Sequence, residues 1–384
     1  MYFEKELEDF RFGKIVDWNG MKKRADQLSE IYEGIGLSSK DYDLQKRFLK
    51  KSDKVDGCNS HLLFGVKKNS EDSNSKKLVF SNNCRDRFCP ICSFKKSRLK
   101  FYRLSSILNY SLKMYPNLSF IFATFTIRNV ENDYKNFHSV IDNLSKSFSK
   151  MMRYSEILGK NGKYIKPSER IIKGYVRNIE VTYNCMKDEF HPHIHAIFAV
   201  DNSYFKRSSN QYITQAQWVK LWRKALGVNY DPLVSVEKVS SKKNRKNDNL
   251  VHSVLEVSKY ETKTSEMISK LNFESAMKVC FTLNLGLKGI RSFVLSGIFK
   301  DINKVLFNDA DLENADDKDL NNVDNSNTYN LSEYCFVLYS WNYKCQKYLR
   351  KNYLGFKYMK HIFDYYKINS KFLDNFKEDV AERR

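Results

Sequence analysis

Apolar and polar positions alternate with a period of two along residues 174–183, and this alternation predicts a β-strand. The polar positions of the strand share one face, which carries Asn178, Glu180 and Thr182. The apolar run around residues 191–195 predicts a second strand, and the polar connection between them has the length of a hairpin loop. We therefore expect the two strands to pair antiparallel.

The same alternation predicts a third strand over residues 120–128, with Thr124, Thr126 and Arg128 on one face. These three side chains either line the same site as the other polar face or face solvent. Residues 250–268 follow the period of an amphipathic helix, with Asp248 or Asn249 as the N-cap. The fold class predicted from these elements is α+β, a central antiparallel sheet with flanking helices.

The composition changes along the chain and predicts four segments. We expect residues 1–110 to form a helical and cysteine-rich region, and residues 111–306 to form a domain of strands and helices. Residues 307–332 are dominated by Asp and Asn and predict a disordered acidic linker. Residues 333–384 are basic and rich in Tyr and Phe, and we expect a small helical appendage there.

The formal net charge is +21, which favours an anionic partner, most plausibly nucleic acid. An AT-rich coding sequence would also enrich Lys, Asn, Ile, Tyr and Phe, so the charge alone does not establish a nucleic-acid partner. The acidic residues Glu4 and Glu6 stand where a signal peptide needs an apolar stretch, and the longest apolar runs are too short to cross a bilayer. The expectation is a soluble intracellular protein with no membrane partner.

Four of the eight cysteines have the spacing of a metal site. Cys89 and Cys92 form a Cys-x2-Cys knuckle, Cys84 lies five residues upstream, and Cys58 is the candidate fourth ligand. A site closed by four thiolates leaves no position for water, so we predict a structural Zn²⁺ ion. The alternative is a set of unrelated buried thiols. Basic residues near the knuckle are candidate phosphate contacts: Arg85, Arg87, Lys95 and Arg98.

The second candidate metal site lies on the predicted hairpin. His193 and His195 are two residues apart, so their imidazoles project from the same face of a strand. If the hairpin pairs as expected, Glu180 lies on that face as well. Two imidazoles and a carboxylate with open positions would suit Mg²⁺ or Mn²⁺ acting on a phosphate oxygen. The alternative is polar residues near a turn with no ligand role.

A tyrosine on the predicted helix has reactive neighbours. Glu256, Tyr260 and Lys263 lie on one face of consecutive turns. A phenol is a weak nucleophile at its ordinary pKa near 10, but a metal or a nearby cation would make attack on phosphorus feasible. Taken alone, the Glu and Lys are equally typical of surface pairing on a helix.

Together, these motifs resemble the rolling-circle replication initiators of small bacterial plasmids, in the cysteine-rich group of HUH endonucleases. The matching stretches are CRDRFCPIC at 84–92, FIFATFTIRN at 120–129, GYVRNIEVTYN at 174–184, FHPHIHA at 190–196 and LEVSKYETK at 255–263. Their order and spacing agree over roughly residues 55–300. Residues 1–50 and those after 305 lie outside the resemblance.

The resemblance implies that His193 and His195 bind the divalent metal, that Tyr260 is the nicking nucleophile and that Glu256 activates water at termination. His191 and Glu180 match motif positions and are further candidate ligands, and Lys263 is a candidate for stabilising the phenolate. The basic loop 240–246, with Lys243 and Arg245, is a candidate DNA contact. The implied partners are plasmid origin DNA and a host helicase and polymerase, and a dimer is left open.

Other functions stay open at this point. Conjugative relaxases and some transposases use the same histidine and tyrosine chemistry. A zinc-containing DNA-binding repressor with an inactive nuclease core, or an RNA-binding protein, would account for the charge and the cysteines but not for the tyrosine helix.

Overall fold

The computed structural model describes residues 10–11, 14–67, 76–158, 170–209, 211–239, 249–259, 268–308 and 334–351. These residues divide into two compact units. The N-terminal unit holds the described residues up to Lys95 together with 334–351, and the central unit holds those from Lys96 to 308. The division falls within one long helix.

The central unit is a six-stranded antiparallel sheet with helices. The first helix, α3 (Pro90–Met114), begins in the N-terminal unit. The strands are β5 (Leu118–Thr126), β6 (Val130–Glu131), β7 (Gly174–Asn184), β8 (Glu189–Asp201), β9 (Val234–Val239) and β10 (Phe293–Gly297). The further helices are α4 (Tyr134–Met151), α5 (Ser155–Leu158), α6 (Gln215–Leu226), α7 (Asn249–Ser258), α8 (Phe273–Gly286) and α9 (Ile298–Phe307). The strand order is β10-β7-β8-β5-β9, and β6 pairs with β8.

The register of β5, β7 and β8 assembles one polar face of this sheet. Glu180 on β7 is opposite His193 on β8, and Asn178 is opposite His195. On the other side of β8, Thr124 is opposite His195 and Thr126 is opposite His193. Directly paired residues of antiparallel strands point to the same side, so all these side chains share one face.

The opposite face of the sheet carries the apolar core. Phe125 on β5 lies with its ring centroid 5.3 Å from that of Trp222 and 5.8 Å from those of Trp218 and Phe148. Phe198 stacks on Trp218 at 5.5 Å. Both tryptophans come from α6, where the apolar residues recur at helical spacing and are buried. Packing of this aromatic cluster fixes the sheet and, with it, the polar face.

Local signals set the ends of α6. Thr214 accepts a hydrogen bond from the Gln217 backbone N–H, and the Gln217 side chain accepts one from the Thr214 backbone N–H, which forms a capping box. At the other end Gly227 has a φ of 71°, a left-handed conformation that glycine adopts without steric cost. The helix is thereby limited to the turns that carry the core tryptophans.

The N-terminal unit combines two helices with a four-stranded antiparallel sheet. The helices are α1 (Trp18–Ser38) and α2 (Tyr42–Asp56), and the short strands β1 (Phe10–Arg11) and β2 (Lys14–Ile15) precede them. The sheet contains β3 (His61–Lys67), β4 (Lys76–Ser81), β11 (Tyr334–Asn342) and β12 (Lys347–Arg350), in the order β12-β11-β3-β4.

The expected helical appendage at the C-terminus is wrong for residues 334–350, which form strands β11 and β12. Strand β11 pairs antiparallel with β3 along its length, for example Val337 with Phe64 and Leu338 with Leu63. The sequence of β11 holds four aromatic residues and one β-branched residue, types that favour a strand once a distant strand provides the partner. The rest of the segment, residues 352–384, lies outside the described residues.

The predicted fold class is confirmed, because the structure is α+β with an antiparallel sheet flanked by helices. The predicted domain limits stay predictions, and the acidic stretch 309–333 lies outside the described residues. Among the helices that are described, none combines the length and apolarity needed to cross a membrane.

Candidate active site

Glu180, His193 and His195 form a compact group on the polar face of the central sheet. Glu180 Oε2 lies 2.9 Å from His195 Nε2 and 3.3 Å from His193 Nε2. One ligand atom from each residue lies within 4.8 Å of the others. Two imidazole nitrogens and one carboxylate oxygen converging in this way could hold a metal ion.

Both imidazoles are fixed through their second nitrogen. His195 Nδ1 lies 3.1 Å from Thr124 Oγ1, and His193 Nδ1 lies 3.2 Å from the backbone carbonyl oxygen of His191. The Phe122 ring stacks on His195 with a centroid distance of 5.7 Å. These contacts direct Nε2 of each ring toward the shared position, and they are the kind of outer contact that orients metal ligands.

The group is only partly exposed. The side-chain exposure is 6% for Glu180, 10% for His195 and 17% for His193. Burial alone would raise the pKa of the Glu180 carboxyl, but hydrogen bonds and charge from His193 and His195 outweigh burial and hold that pKa well below its usual value. The carboxylate is therefore ionised and available as a ligand.

Helix α7 brings a second carboxylate to this group. Glu256 Oε2 lies 4.0 Å from His195 Nε2, and Glu256 Oε1 lies 3.8 Å from His252 Nε2. The Lys259 ammonium lies 2.7 Å from Oε2 and 2.6 Å from Oε1 of the same carboxylate. The carboxylate thus stands between the imidazole of a candidate ligand and a lysine.

The end of α7 is held by two side chains from other elements. Asn178 Nδ2 donates to the Lys259 carbonyl oxygen at 2.8 Å, and Ser97 Oγ on α3 donates to the Ser258 carbonyl oxygen at 2.8 Å. The predicted site residues Tyr260 and Lys263, which follow in the sequence, lie outside the described residues.

Other predicted residues on the sheet have different surroundings. His191 is on β8 opposite Thr182 and does not belong to the group that could hold a metal ion. Thr126 Oγ1 donates to the Leu233 carbonyl oxygen at 2.9 Å. Arg128 is exposed, and its guanidinium lies 4.0 Å from the centroid of the Tyr230 ring.

A second group that could hold a metal ion lies in the N-terminal unit. It consists of Cys58, Cys84, Cys89 and Cys92, whose sulfur atoms all lie within 4.8 Å of one another. Cys58 follows α2, Cys84 follows β4, and the Cys89–Cys92 knuckle opens α3. The Sγ atoms of Cys58 and Cys92 are 3.6 Å apart, and so are those of Cys84 and Cys92. Three sequence segments therefore meet at one sulfur cluster.

Two N–H groups at the cysteine cluster favour a thiolate at Cys58. The Cys84 backbone N–H and Asn59 Nδ2 each donate to Cys58 Sγ at 3.4 Å. Burial would raise the pKa of the Cys58 thiol, but hydrogen bonds from the other three cysteines outweigh burial and lower that pKa well below its usual value. The hydrogen bond to Cys58 raises the pKa of the Cys84 thiol, and burial raises the pKa of the Cys89 thiol. The negative charge therefore lies on Cys58, and a bound cation would favour loss of the remaining thiol protons.

Lys95 does not fit its predicted role as a DNA contact. Its side chain is buried, with 3% exposure. The ammonium donates to Asn83 Oδ1 at 2.8 Å, to Asn59 Oδ1 at 3.1 Å and to Ser81 Oγ. A buried lysine is stabilised by such a full set of acceptors, and it supports the loop that carries Cys58.

The remaining basic candidates differ in exposure. Arg85 is exposed, whereas Arg87 and Arg98 are half-buried. Lys243 and Arg245 lie outside the described residues. The part of the chain that is described therefore leaves Arg85 and Arg128 as the most accessible of the predicted DNA contacts.

Three residues near the metal group have no functional role in the sequence prediction: Asn178, Ser97 and Lys259. Asn178 falls on the same alternating face as Glu180, and Lys259 stands three residues after Glu256 on the predicted helix. Those spacings could have indicated both residues. The Ser97 contact joins positions 161 residues apart and has no local signal.

Comparison with known proteins identifies the family. The family model described as "Replication protein" matches residues 75–349. A "Protein rep" from Lentilactobacillus hilgardii is 31% identical over 257 residues, which cover 67% of this chain and 76% of the relative. A "Protein rep" from Streptococcus pneumoniae is 28% identical over 300 residues, covering 78% and 82%, and one from Staphylococcus aureus is 33% identical over 216 residues, covering 56% and 83%. No solved structure matches the chain significantly.

The chain therefore belongs to this family of plasmid replication proteins. The resemblance to rolling-circle replication initiators that the motifs indicated is confirmed. The matched region contains both groups that could hold a metal ion, apart from Cys58, and it includes helix α7.

Proposed function

We propose that this protein initiates rolling-circle replication of a plasmid by nicking one strand of origin DNA through Tyr260. The observation that carries the proposal is the convergence of Glu180, His193 and His195 on one face, with Glu256 4.0 Å from His195 Nε2 on the helix that ends just before Tyr260 in the sequence. Membership of the replication-protein family supports a DNA substrate at the plasmid origin.

His193, His195 and Glu180 would hold Mg²⁺ or Mn²⁺, since a mixed set of imidazole and carboxylate donors with open positions suits such ions. Held by these three residues, such a cation would supply Lewis-acid stabilisation of the charge that develops on the phosphate. The ionised Glu180 keeps the site negative, and the partial exposure of His193 leaves a side from which a phosphate can approach.

Tyr260 acts as the nucleophile in this proposal. Its phenolic oxygen forms a bond to phosphorus, the bond from phosphorus to the 3′ oxygen breaks, and the 3′ oxygen leaves as a hydroxyl. The products are a 5′-phosphotyrosine and a 3′-OH primer. One phosphodiester replaces another, so the step needs no nucleotide hydrolysis, and Lys263 would stabilise the phenolate.

Glu256 is the general base that ends replication in this proposal. A carboxylate near the reacting phosphate takes a proton from water, and that water hydrolyses the final phosphotyrosine in place of transfer to a second tyrosine. The Lys259 ammonium, 2.6 Å from Oε1 of this carboxylate, holds it in one orientation.

The cysteine cluster would bind a structural Zn²⁺, because four thiolates with a Cys-x2-Cys knuckle match the tetrahedral preference of that ion. The exposed Arg85 near the cluster and Arg128 near the metal group would contact origin DNA phosphates. Once the 3′ end is free in the bacterial cytoplasm, a host helicase and polymerase would extend it.

The test is a covalent-adduct assay. Wild type and Tyr260→Phe are incubated with single-stranded pieces of the replicon, with Mn²⁺ or with a chelator, and separated on denaturing gels. We expect a protein–DNA adduct only from wild type with Mn²⁺, while Tyr260→Phe still binds the origin. An adduct of equal yield from Tyr260→Phe would contradict the assignment of the nucleophile. No adduct from folded, metal-loaded wild type on any fragment would contradict the proposed function.

A further inference from the structure

The last turn of α7 has a hydrogen-bond arrangement that ordinary helix capping does not explain. The final carbonyl groups of a helix lack partners within the helix, and nearby donors usually satisfy them. Here two such donors are side chains from distant elements, Asn178 on β7 and Ser97 on α3. Water or a local turn would satisfy the same carbonyls without tying the helix to the sheet.

Asn178 links the strand that carries Glu180 to the end of α7. It is fully buried, it is opposite His195 in the sheet register, and it lies two residues before Glu180 on the same face. Its amide nitrogen donates to the Lys259 carbonyl oxygen, while its Oδ1 has no hydrogen-bond partner among the described residues. A buried amide with one unsatisfied end is costly, so packing alone is a poor reason for an asparagine here.

Lys259 contacts both Asn178 and Glu256. Its backbone is held by Asn178, and its ammonium binds both carboxylate oxygens of Glu256. Glu256 in turn reaches within 4.0 Å of His195, the neighbour of Asn178 across the strands. The contacts run from Asn178 through Lys259 and Glu256 to His195, and the strand register places His195 opposite Asn178.

We propose that Asn178, Ser97 and Lys259 are positioning residues that fix the end of α7, which precedes Tyr260 in the sequence, against the metal group. Asn178 and Ser97 act through backbone carbonyls and set where the helix ends. Lys259 acts through its side chain and aims the Glu256 carboxylate. This inference rests on the proposed function, since it concerns the steps of nicking and hydrolysis.

The backbone contacts of Asn178 and Ser97 and the side-chain contact of Lys259 predict rate losses in different steps. In Asn178→Ala or Ser97→Ala the helix end is free to shift, and a shift of about 1 Å in a reacting group costs up to about 100-fold in rate. We expect adduct formation to slow by about tenfold to 100-fold, with Mn²⁺ affinity within about threefold of wild type because every ligand remains. A purely structural defect would lower the rate of adduct formation and the Mn²⁺ affinity together.

For Lys259 the expected loss is in the later step. Lys259→Met should slow hydrolysis of the isolated adduct by about tenfold while adduct formation changes less, because Glu256 loses its orienting cation. Lys259→Arg keeps a cation at that position and should restore most of the rate. Lys146→Met is the matched control, since Lys146 forms an ion pair with Asp142 on α4, outside the site.

The experiment measures single-turnover adduct formation, adduct hydrolysis and Mn²⁺ binding on the full chain. Asn284→Ala is the control for Asn178, because Asn284 is also buried and donates to a helix carbonyl oxygen, that of Cys280. If Asn178→Ala lowers the thermal midpoint too far to assay, Ser97→Ala decides, since it removes one half-buried hydroxyl. Adduct formation at the wild-type rate in Asn178→Ala and Ser97→Ala would overturn the inference. So would a Lys259→Arg variant that hydrolyses the adduct no faster than Lys259→Met. Absence of the adduct in wild type would instead refute the proposed function.

Discussion

The two groups that could hold metal ions differ in the number and kind of their ligands and in their exposure. The cysteine cluster offers four sulfur atoms from three segments of the N-terminal unit, and three of its four cysteines are buried. The group in the central unit offers two imidazoles and one carboxylate on paired strands, with His193 partly exposed. The first arrangement is closed by its own ligands, whereas the second leaves positions for a substrate.

The difference also concerns what each group does for the fold. The cysteines join the ends of α2 and β4 to the start of α3, so an ion there would contribute directly to folding. The strands under Glu180 and His193 are already joined by sheet hydrogen bonds and by the aromatic core around Phe125. We therefore expect the central unit to fold without an ion, which leaves its ligands free to serve chemistry. Substitutions in the two groups should separate stability from activity.

The largest effect is expected from Cys89→Ser. Zinc binding is worth about 10–16 kcal/mol in small zinc domains, which is comparable with the whole net stability of about 5–15 kcal/mol of a typical domain. We expect the N-terminal unit of this variant to lose protease resistance and zinc, while the central unit keeps its fold. Limited proteolysis with mass spectrometry and zinc quantification measure both.

Cys280→Ser is the control for this prediction, because Cys280 is also buried but lies on α8 outside the cluster. The control should retain zinc and protease resistance in the N-terminal unit. A Cys89→Ser variant with full zinc content and an unchanged thermal midpoint would show that the cluster is not a structural metal site.

The second effect is a loss of activity without a loss of fold. In His195→Ala the metal group loses one of its three ligands, and we expect Mn²⁺ affinity to fall by at least about 100-fold. Adduct formation should be undetectable at Mn²⁺ concentrations that saturate wild type, while the thermal midpoint changes little. Isothermal titration calorimetry and the adduct assay provide the two readouts.

His138→Ala is the control here, since His138 is an exposed histidine of the same unit whose Nδ1 lies 2.8 Å from the Gly286 carbonyl oxygen. It should bind Mn²⁺ as wild type does. Unfolding of the central unit in His195→Ala would contradict the proposed division between a structural and a reactive site, because only Cys89→Ser is expected to unfold its unit.

Much of the central sheet could be predicted from sequence because its signals are local. Alternation along residues 174–183 predicted which face carries Glu180, and the two-residue spacing of His193 and His195 predicted their common face. The structure brings all three to one group. The fold class followed from the same period-two pattern and is confirmed.

Features that depend on distant partners could not be predicted in this way. Strand β11 pairs with β3 across more than 260 residues, and nothing in its own aromatic-rich sequence distinguishes a strand from a helix. Lys95 stands in a basic run typical of a DNA contact, yet acceptors from Asn59 and Asn83 bury it. Local sequence patterns predict which side chains share a face of a strand or helix. They do not predict which distant strand or side chain packs against that face.

The smallest effect is expected from Thr124→Val, which keeps a β-branched side chain and removes the hydroxyl 3.1 Å from His195 Nδ1. Loss of such an outer contact weakens metal binding by about 10–100-fold, and we expect the lower end because Phe122 still stacks on the ring. Thr126→Val is the matched control on the same strand face, since its hydroxyl donates to the Leu233 carbonyl oxygen and not to a histidine. Equal Mn²⁺ affinities for the two valine variants would mean that Thr124 does not orient His195. A weaker affinity for Thr124→Val alone would show that metal binding at the reactive site depends on a contact one layer beyond its ligands.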